Sequence, residues 1–373
     1  MTSYSIGFVL RVLTALGAMV IASPLGAQDA LPKPNEIFAE AGKIVTADGI
    51  DEQMTVEIGG IRQWVHVRGR HRANPVILFA HGGPAFTTSP VAYHFMRDWE
   101  EYFTVVQWDQ RGAGRTYAAN DPAEVRPTMN VARFVSDTAE LAGYLRERYG
   151  KRKIILMSHS FGTVVGVKAA QAYPELFHAY VGSGQFVHFA RSEAQGYEAT
   201  LAAARADGNK EAVDELLAIA PFPDPERPER NLKNLGTERR WLAHYDGYYW
   251  RKGFGHNAAI ASMSPVYSAD ELKLRDEAMG FSNETMWREL GTVDLTSATE
   301  FELPVIILQG RHDRGTSSQL VRQWFDTIQA PEKQLVWFED SAHMVYEEEP
   351  GRLLVSLVNL VWPLAAEESA AVK

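Results

Sequence analysis

The chain has 373 residues, 46% of them hydrophobic, which is enough for one large core with an inserted subdomain. Its net charge is −10 and it has no long basic run, which argues against nucleic acid and an anionic membrane surface as partners. There is no cysteine, so disulfides and cysteine-linked lipids are excluded and stability has to come from packing.

Residues 1–27 differ from the rest. A short start carrying Arg11 leads into the apolar run VLTALGAMVIA and then SPLGAQDA, with small residues at Gly26 and Ala27. This is the pattern of a secretory signal peptide cleaved near Ala27, and the run is too short for a good membrane span. A periplasmic or secreted protein with no stable membrane insertion after cleavage is expected; the alternative is a retained N-terminal anchor.

TVEIGGIRQWVHVRGR (55–70) alternates around a Gly-Gly turn and reads as a β-hairpin. Short apolar runs follow: PVILFAH (75–81), FTVVQWD (103–109), KIILMSH (153–159) and AYVGSG (179–184). Between them lie helix-period segments such as 131–150 and 162–173. Apolar strands alternating with amphipathic helices predict an α/β fold, a mostly parallel sheet with helices on both faces. The rhythm breaks over 186–299, which is helical in pattern, charged and aromatic, with a Pro-rich piece at 221–230. It resumes at LPVIILQGRHD (303–313) and QLVWFEDSAH (334–343), then a final helix from about 350. The expected organisation is therefore a core over 28–185 and 300–373, split by a helical cap at 186–299, with a mobile tail over 365–373.

Ligands of open α/β sheets bind beyond the carboxyl ends of the strands. Four clusters fall there: HGGPAF (81–86), SHSFG (158–162), GRHD (310–313) and EDSAHM (339–344). They present Ser, Asp and His in the chain order of the α/β-hydrolase triad. A nucleophile on a strand-to-helix elbow needs small residues two before and two after it. Ser160 has Ser158 and Gly162 at those positions, whereas Ser158 would be flanked by Leu156, which is too bulky. Ser160 is the expected nucleophile, and an ordinary turn with a capping serine is the plain alternative.

Asp313 follows a strand and a Gly-x-x turn, from which it can reach back over the sheet; its rival Asp340 lies three residues before His343 in the same turn. His343 follows the last strand and is the expected base, with His312 as the alternative. In this reading His343 takes the proton of Ser160 and Asp313 fixes its tautomer. Two N–H donors are needed for the oxyanion; the amide of Phe161 and that of Gly83 are assigned. His81 reads as a brace for the HGGP loop. In WDQRGAGRT (108–116), Asp109 and Arg111 are placed to pair and hold a turn, with substrate contact as the alternative.

HGGP at 81–84, DQRGAGRT at 109–116, SHSFGT at 158–163, GRHD at 310–313 and AHM at 342–344 resemble the proline iminopeptidase branch of the α/β-hydrolase superfamily. The resemblance implies a serine hydrolase with a helical cap, and by motif position it carries catalytic roles onto Ser160, Asp313 and His343 and an oxyanion role onto Gly83. The sequence departs from the branch at Ala85, which stands where glycine usually follows the proline, and at Ser158, where the elbow usually has glycine. The branch also implies cap glutamates, often in a Trp-Glu context, that hold the substrate's free amino end. No Trp-Glu pair occurs in this cap; Glu193 and Glu198 begin it and are able to face the pocket, but read more readily as solvated helix positions. Trp241, Tyr245, Tyr248, Tyr249 and Trp250 read as cap core more than pocket lining.

An exported serine hydrolase of small esters or amides is expected, acting on small-molecule or short-peptide substrates. Aminopeptidase and carboxylesterase chemistry both stay open, and a non-catalytic binding protein with this fold is the remaining class. A serine at position 160 argues against dehalogenase or epoxide hydrolase chemistry, in which an aspartate attacks. No H-E-x-x-H and no cysteine cluster occurs, so no metal or other cofactor is expected.

Overall fold

The computed structural model describes residues 31–253 and 255–370; the expected signal peptide at 1–27 lies outside the described residues. Its centre is an eight-stranded sheet in the order β1-β2-β4-β3-β5-β6-β7-β8. The strands are β1 (Ile50–Ile58), β2 (Ile61–Gly69), β3 (Val76–Ala80), β4 (Thr104–Asp109), β5 (Ile154–His159), β6 (Phe177–Ser183), β7 (Val305–Gly310) and β8 (Lys333–Phe338). β1 and β2 pair antiparallel, as do β2 and β4. All the other pairs are parallel.

The β1–β2 hairpin turns at Gly59-Gly60, with Ile58 opposite Ile61. Both glycines have positive φ, 59° and 74°, the requirement of a tight two-residue turn between twisted strands. β3, β4 and β5 are buried at every position because helices cover both faces of the sheet. The two-residue strand period divides their side chains between two cores. Leu78 and Leu156 join one face, while Ile77, Phe79, Ile155 and Met157 join the other.

The helix Val131–Tyr149 shows how local sequence sets element ends. Asn130 Oδ1 accepts the N–H of Arg133 at 2.9 Å, and Gly150 stops the helix in the left-handed region at φ 63°. Its inner face buries Phe134, Leu141 and Leu145.

Arg111 does not pair with Asp109. Its Nε and Nη2 donate to Asp137 at 2.9 and 3.2 Å, and Nη2 also reaches Gly59 O at 2.9 Å. Asp109 instead accepts from Thr87 Oγ1, Ser89 Oγ, Tyr267 Oη and the N–H of Arg115. β4 ends at Asp109 and Arg111 lies in the turn beyond it, so strand geometry does not hold the two together and each is partnered elsewhere.

Between β6 and β7 the chain runs through helices at Phe189–Ala206, Lys210–Ala218, Pro228–His244, His256–Ser262 and Ala269–Leu290. These have a small core of their own around Tyr197, Leu216, Phe222 and Trp241. The helix Trp362–Ala370 runs into the tail expected from 365, with Ala365 buried in the core on one face of the sheet. Among the described residues no helix is long and apolar enough to cross a membrane.

Candidate active site

β3 lies between β4 and β5, so the chain leaves it first to one side and then to the other. This reversal opens a crevice at the carboxyl ends of β3 and β5. The loops at 81–86 and 158–162 meet there: a Cβ on Gly82 would stand 2.9 Å from Ser160 Cβ.

Ser160 joins β5 to the helix Phe161–Ala172 with φ 52° and ψ −123°, a conformation that side-chain-bearing residues rarely adopt. The surrounding backbone holds it. Ser160 N–H donates to Ser183 O at 3.1 Å, and its carbonyl accepts from Thr163 N–H at 2.8 Å and Thr163 Oγ1 at 2.6 Å. Gly162 is required by close approach, since a Cβ there would lie 2.2 Å from Ala80 O. Ser158 is buried below the elbow, and Ser160 lines the cavity above it.

Asp313 and His343 sit on the loops after β7 and β8. His343 Nδ1–H donates to Asp313 Oδ2 at 2.8 Å, and both side chains are buried. That bond places the lone pair on Nε2, the atom a nucleophile would use. Asp313 is further held by Gln309 Nε2 at 2.9 Å, Thr316 Oγ1 at 2.7 Å and Thr316 N–H at 3.0 Å. Burial pushes its carboxyl upward, but the His343 charge, the His343 hydrogen bond and the Thr316 donors outweigh it, leaving Asp313 below the usual carboxylate range. The rivals are elsewhere. His312 stacks on Trp250 with centroids 3.4 Å apart, and Asp340 is exposed.

Ser160 and His343 line one cavity of about 600 Å³, together with Gly83 and Phe161. Phe161 is the first residue of its helix, so its N–H has no partner within the helix and sits at the positive end of the helix dipole. Gly83 has φ 121°, and a Cβ there would crowd the amides of Ala85 and Phe86 at 2.5 Å. Ala85 has φ 67°, which explains why glycine suits this position and shows that alanine is accommodated. His81 braces the loop: Nδ1–H donates to Gly82 O at 2.8 Å and Nε2 accepts Gln110 N–H at 3.2 Å. Burial lowers its pKa, keeping the ring neutral for that double role.

Three site features lie beyond what sequence reasoning found. His159, between the two serines, is buried with its ring 4.7 Å from that of His343, and burial followed by the His343 charge pushes its pKa well down. Its place inside the SHSFG turn was the only signal. Tyr248 lines the cavity with its ring 5.4 Å from that of His343, while Trp241 joins the cap core and Tyr249 is buried with Glu347 as its hydrogen-bond partner. Of the aromatic series, then, Tyr248 is a wall residue.

The third is a correction. Glu193 is buried and lines the cavity, whereas Glu198 is exposed. Glu193 faces inward because it shares the inner face of its helix with Ser192, Gly196 and Tyr197. Arg239 Nη1 donates to Glu193 Oε2 at 2.8 Å; Arg239 Nη2 also bonds Glu193, and Nη1 bonds Glu238. Burial pushes the fully buried Glu238 carboxyl up to about 7, with Arg239 pulling it down and the Glu193 charge pushing it up. The remaining walls are mainly apolar, including Phe186, Phe189, Met279, Trp287 and Leu290. Among the described residues no group of three or more His, Asp or Glu is arranged to hold a metal ion.

A mostly parallel sheet roofed by helices, with a cavity at its carboxyl edge that takes in Ser160 and His343, has the form of the alpha/beta hydrolase class. A model of the alpha/beta hydrolase fold family matches residues 75–350, and the chain belongs to that family. It is 27% identical over 303 residues to the probable aminopeptidase YbaC of Bacillus subtilis (strain 168), covering 79% of this chain and 91% of that one. Among solved structures, a proline iminopeptidase-related protein of Thermus thermophilus matches with TM-score 0.61 and 22% identity, over 85% of this chain and 99% of that one. The proline iminopeptidase of Mycobacterium smegmatis matches with TM-score 0.60 and 17% identity, over 86% and 100%. An esterase from Exiguobacterium antarcticum matches with TM-score 0.53 and 15% identity, over 82% and 98%. At such identities the structural likeness is one of fold.

Proposed function

We propose that the protein is an exported serine hydrolase that cleaves small amide or ester substrates through an acyl-enzyme on Ser160, with aminopeptidase as the leading activity. The observation that carries the reading is the buried Asp313–His343 hydrogen bond beside a cavity that also takes in Ser160 on its strained turn. Ser160 Oγ attacks the substrate carbonyl carbon as its proton passes to His343 Nε2. The amides of Phe161 and Gly83 receive the oxyanion, and the leaving group departs with the proton held by His343. Water then repeats the sequence on the acyl-enzyme. Asp313 keeps the imidazole in the Nδ1–H tautomer throughout.

The aminopeptidase reading draws on Glu193 at the cavity wall and Glu238 buried behind it, two carboxylates against the one guanidinium of Arg239. When both are ionised the cluster is net negative, which suits a substrate's protonated amino end. The second reading, a carboxylesterase without peptidase activity, is favoured by Arg239, which already occupies both carboxylates, and by the apolar walls.

A fluorophosphonate probe tests the mechanism. Wild-type protein is labelled and Ser160→Ala is not; an unlabelled wild type would leave the binding-protein reading standing. Rates on prolyl and other aminoacyl arylamides against p-nitrophenyl esters separate the two activities, since amide turnover that disappears on blocking the amino end identifies an aminopeptidase. Export is read from residues 1–27 and is tested by N-terminal sequencing of the protein recovered outside the cytoplasm.

A further inference from the structure

The cap helix Ala269–Leu290 contributes Met279, Asn283, Trp287 and Leu290 to the cavity wall. Arg275 lies one turn before Met279 on the same stripe, by the four-residue spacing that superposes side chains on a helix. It is only 8% exposed, and its guanidinium carbon lies 5.7 Å from the ring centre of Phe86, itself a wall residue on the Gly83 loop.

Its hydrogen bonding is incomplete. Nη2 donates to Asp276 Oδ1 at 3.3 Å, a weak bond to an exposed carboxylate. Nε and Nη1 are buried and have no partner among the described residues. A guanidinium does not escape burial by losing its proton, so these donors stay charged and unpaired. Arg111, equally buried, has acceptors for Nε, Nη1 and Nη2 alike. One arginine completes the fold; the other keeps two buried donors unpaired beside the Phe86 ring, a condition that an incoming acceptor relieves. The fork formed by Nε and a terminal N–H matches a carboxylate with two parallel hydrogen bonds.

We propose that Arg275 is a specificity residue that binds a carboxylate of the substrate, admitted when the Phe86 side chain turns aside. This rests on the cavity being the hydrolytic site. With Glu193 at the cavity wall on a different cap helix, Phe189–Ala206, it selects substrates that carry both an amino group and a carboxylate. Short peptides with a free C-terminus are that class.

The test compares a dipeptide having a free C-terminal carboxylate with its C-terminal amide. Wild type is expected to favour the free acid by about tenfold or more in kcat/KM, the worth of a charged hydrogen bond. Arg275→Met brings that ratio to about one, and Arg275→Lys leaves it in between. Arg275→Met is also expected to raise Tm by about 2 °C or more, because it removes a buried unpaired charge, whereas a structural arginine would lower it on removal. Thermal shifts of Ser160→Ala protein with the same two ligands read binding without turnover. A free-acid preference there, alongside a wild type that hydrolyses neither ligand, supports Arg275 as a carboxylate site and overturns the peptidase reading on which its substrate class rests. Hydrolysis of both ligands at equal rates, or a lowered Tm in Arg275→Met with the ratio unchanged, overturns the role of Arg275.

Discussion

The hydroxyl of Ser158 occupies the space that a side chain at position 166 would need: a Cβ on Gly166 would come within 2.3 Å of Ser158 Oγ. The elbow thus has serine where glycine is usual, and the helix packed on it has a glycine that makes room. The two positions behave as one packing unit, and the Ser158 hydroxyl is buried there without a hydrogen-bond partner among the described residues.

Gly166→Ala is therefore expected to destabilise the protein by about 2 kcal/mol, the range of an overpacked core, and by much less in a Ser158→Gly background. Ser158→Ala deletes an unpaired buried hydroxyl and is expected to keep both stability and fluorophosphonate labelling. Denaturant unfolding of the four proteins of the cycle measures the coupling; additive effects would show that the two residues do not share the space.

Ser160→Ala is expected to lower kcat by about 10⁴-fold or more. Ser160→Gly should be equally inactive yet more stable than Ser160→Ala by about 1 kcal/mol, because glycine accepts φ 52° without strain. Thermal unfolding of the two inactive variants makes the comparison, and equal stabilities would show that the turn is unstrained.

Asp137 is fully buried, receiving Arg111 and Gln63 as well as Arg133. Asp137→Ala leaves the Arg111 charge buried and unpaired, with an expected cost of about 3–5 kcal/mol. Chemical denaturation reads the loss directly, and a change below about 1 kcal/mol would show that the network relaxes around the gap.

Glu238 makes the aminopeptidase reading pH-dependent. Its carboxyl is pushed up to about 7, so below that pH it carries a proton and the charges of Glu193 and Arg239 cancel. Above it the cluster is net negative. KM for an aminoacyl arylamide is expected to fall as pH rises through 7, until the substrate amine itself loses its proton at about 8. Glu238→Gln removes that step. KM for an uncharged p-nitrophenyl ester, measured over the same range, should lack it.

Much of this architecture is written in local pattern. Strand period, Gly-Gly at 59–60, Asn130 and Gly150 are decided by neighbours in the chain, so the hairpin, the parallel strands and the long helix were readable before any contact was known. Ser160, Asp313 and His343 were readable for a related reason: each follows a strand, and strand ends in such a sheet converge on one edge. Contacts between distant segments were not readable. Arg111 found Asp137 instead of Asp109, Glu193 found Arg239 and Glu238 inside the cap, and Ser158 found Gly166 across a strand-to-helix contact. Periodicity says which face of an element is buried, but the partner that meets it is chosen by tertiary packing. That choice turned SHSFG from an imperfect motif into a compensated one, and Glu193 from a surface charge into a wall of the site.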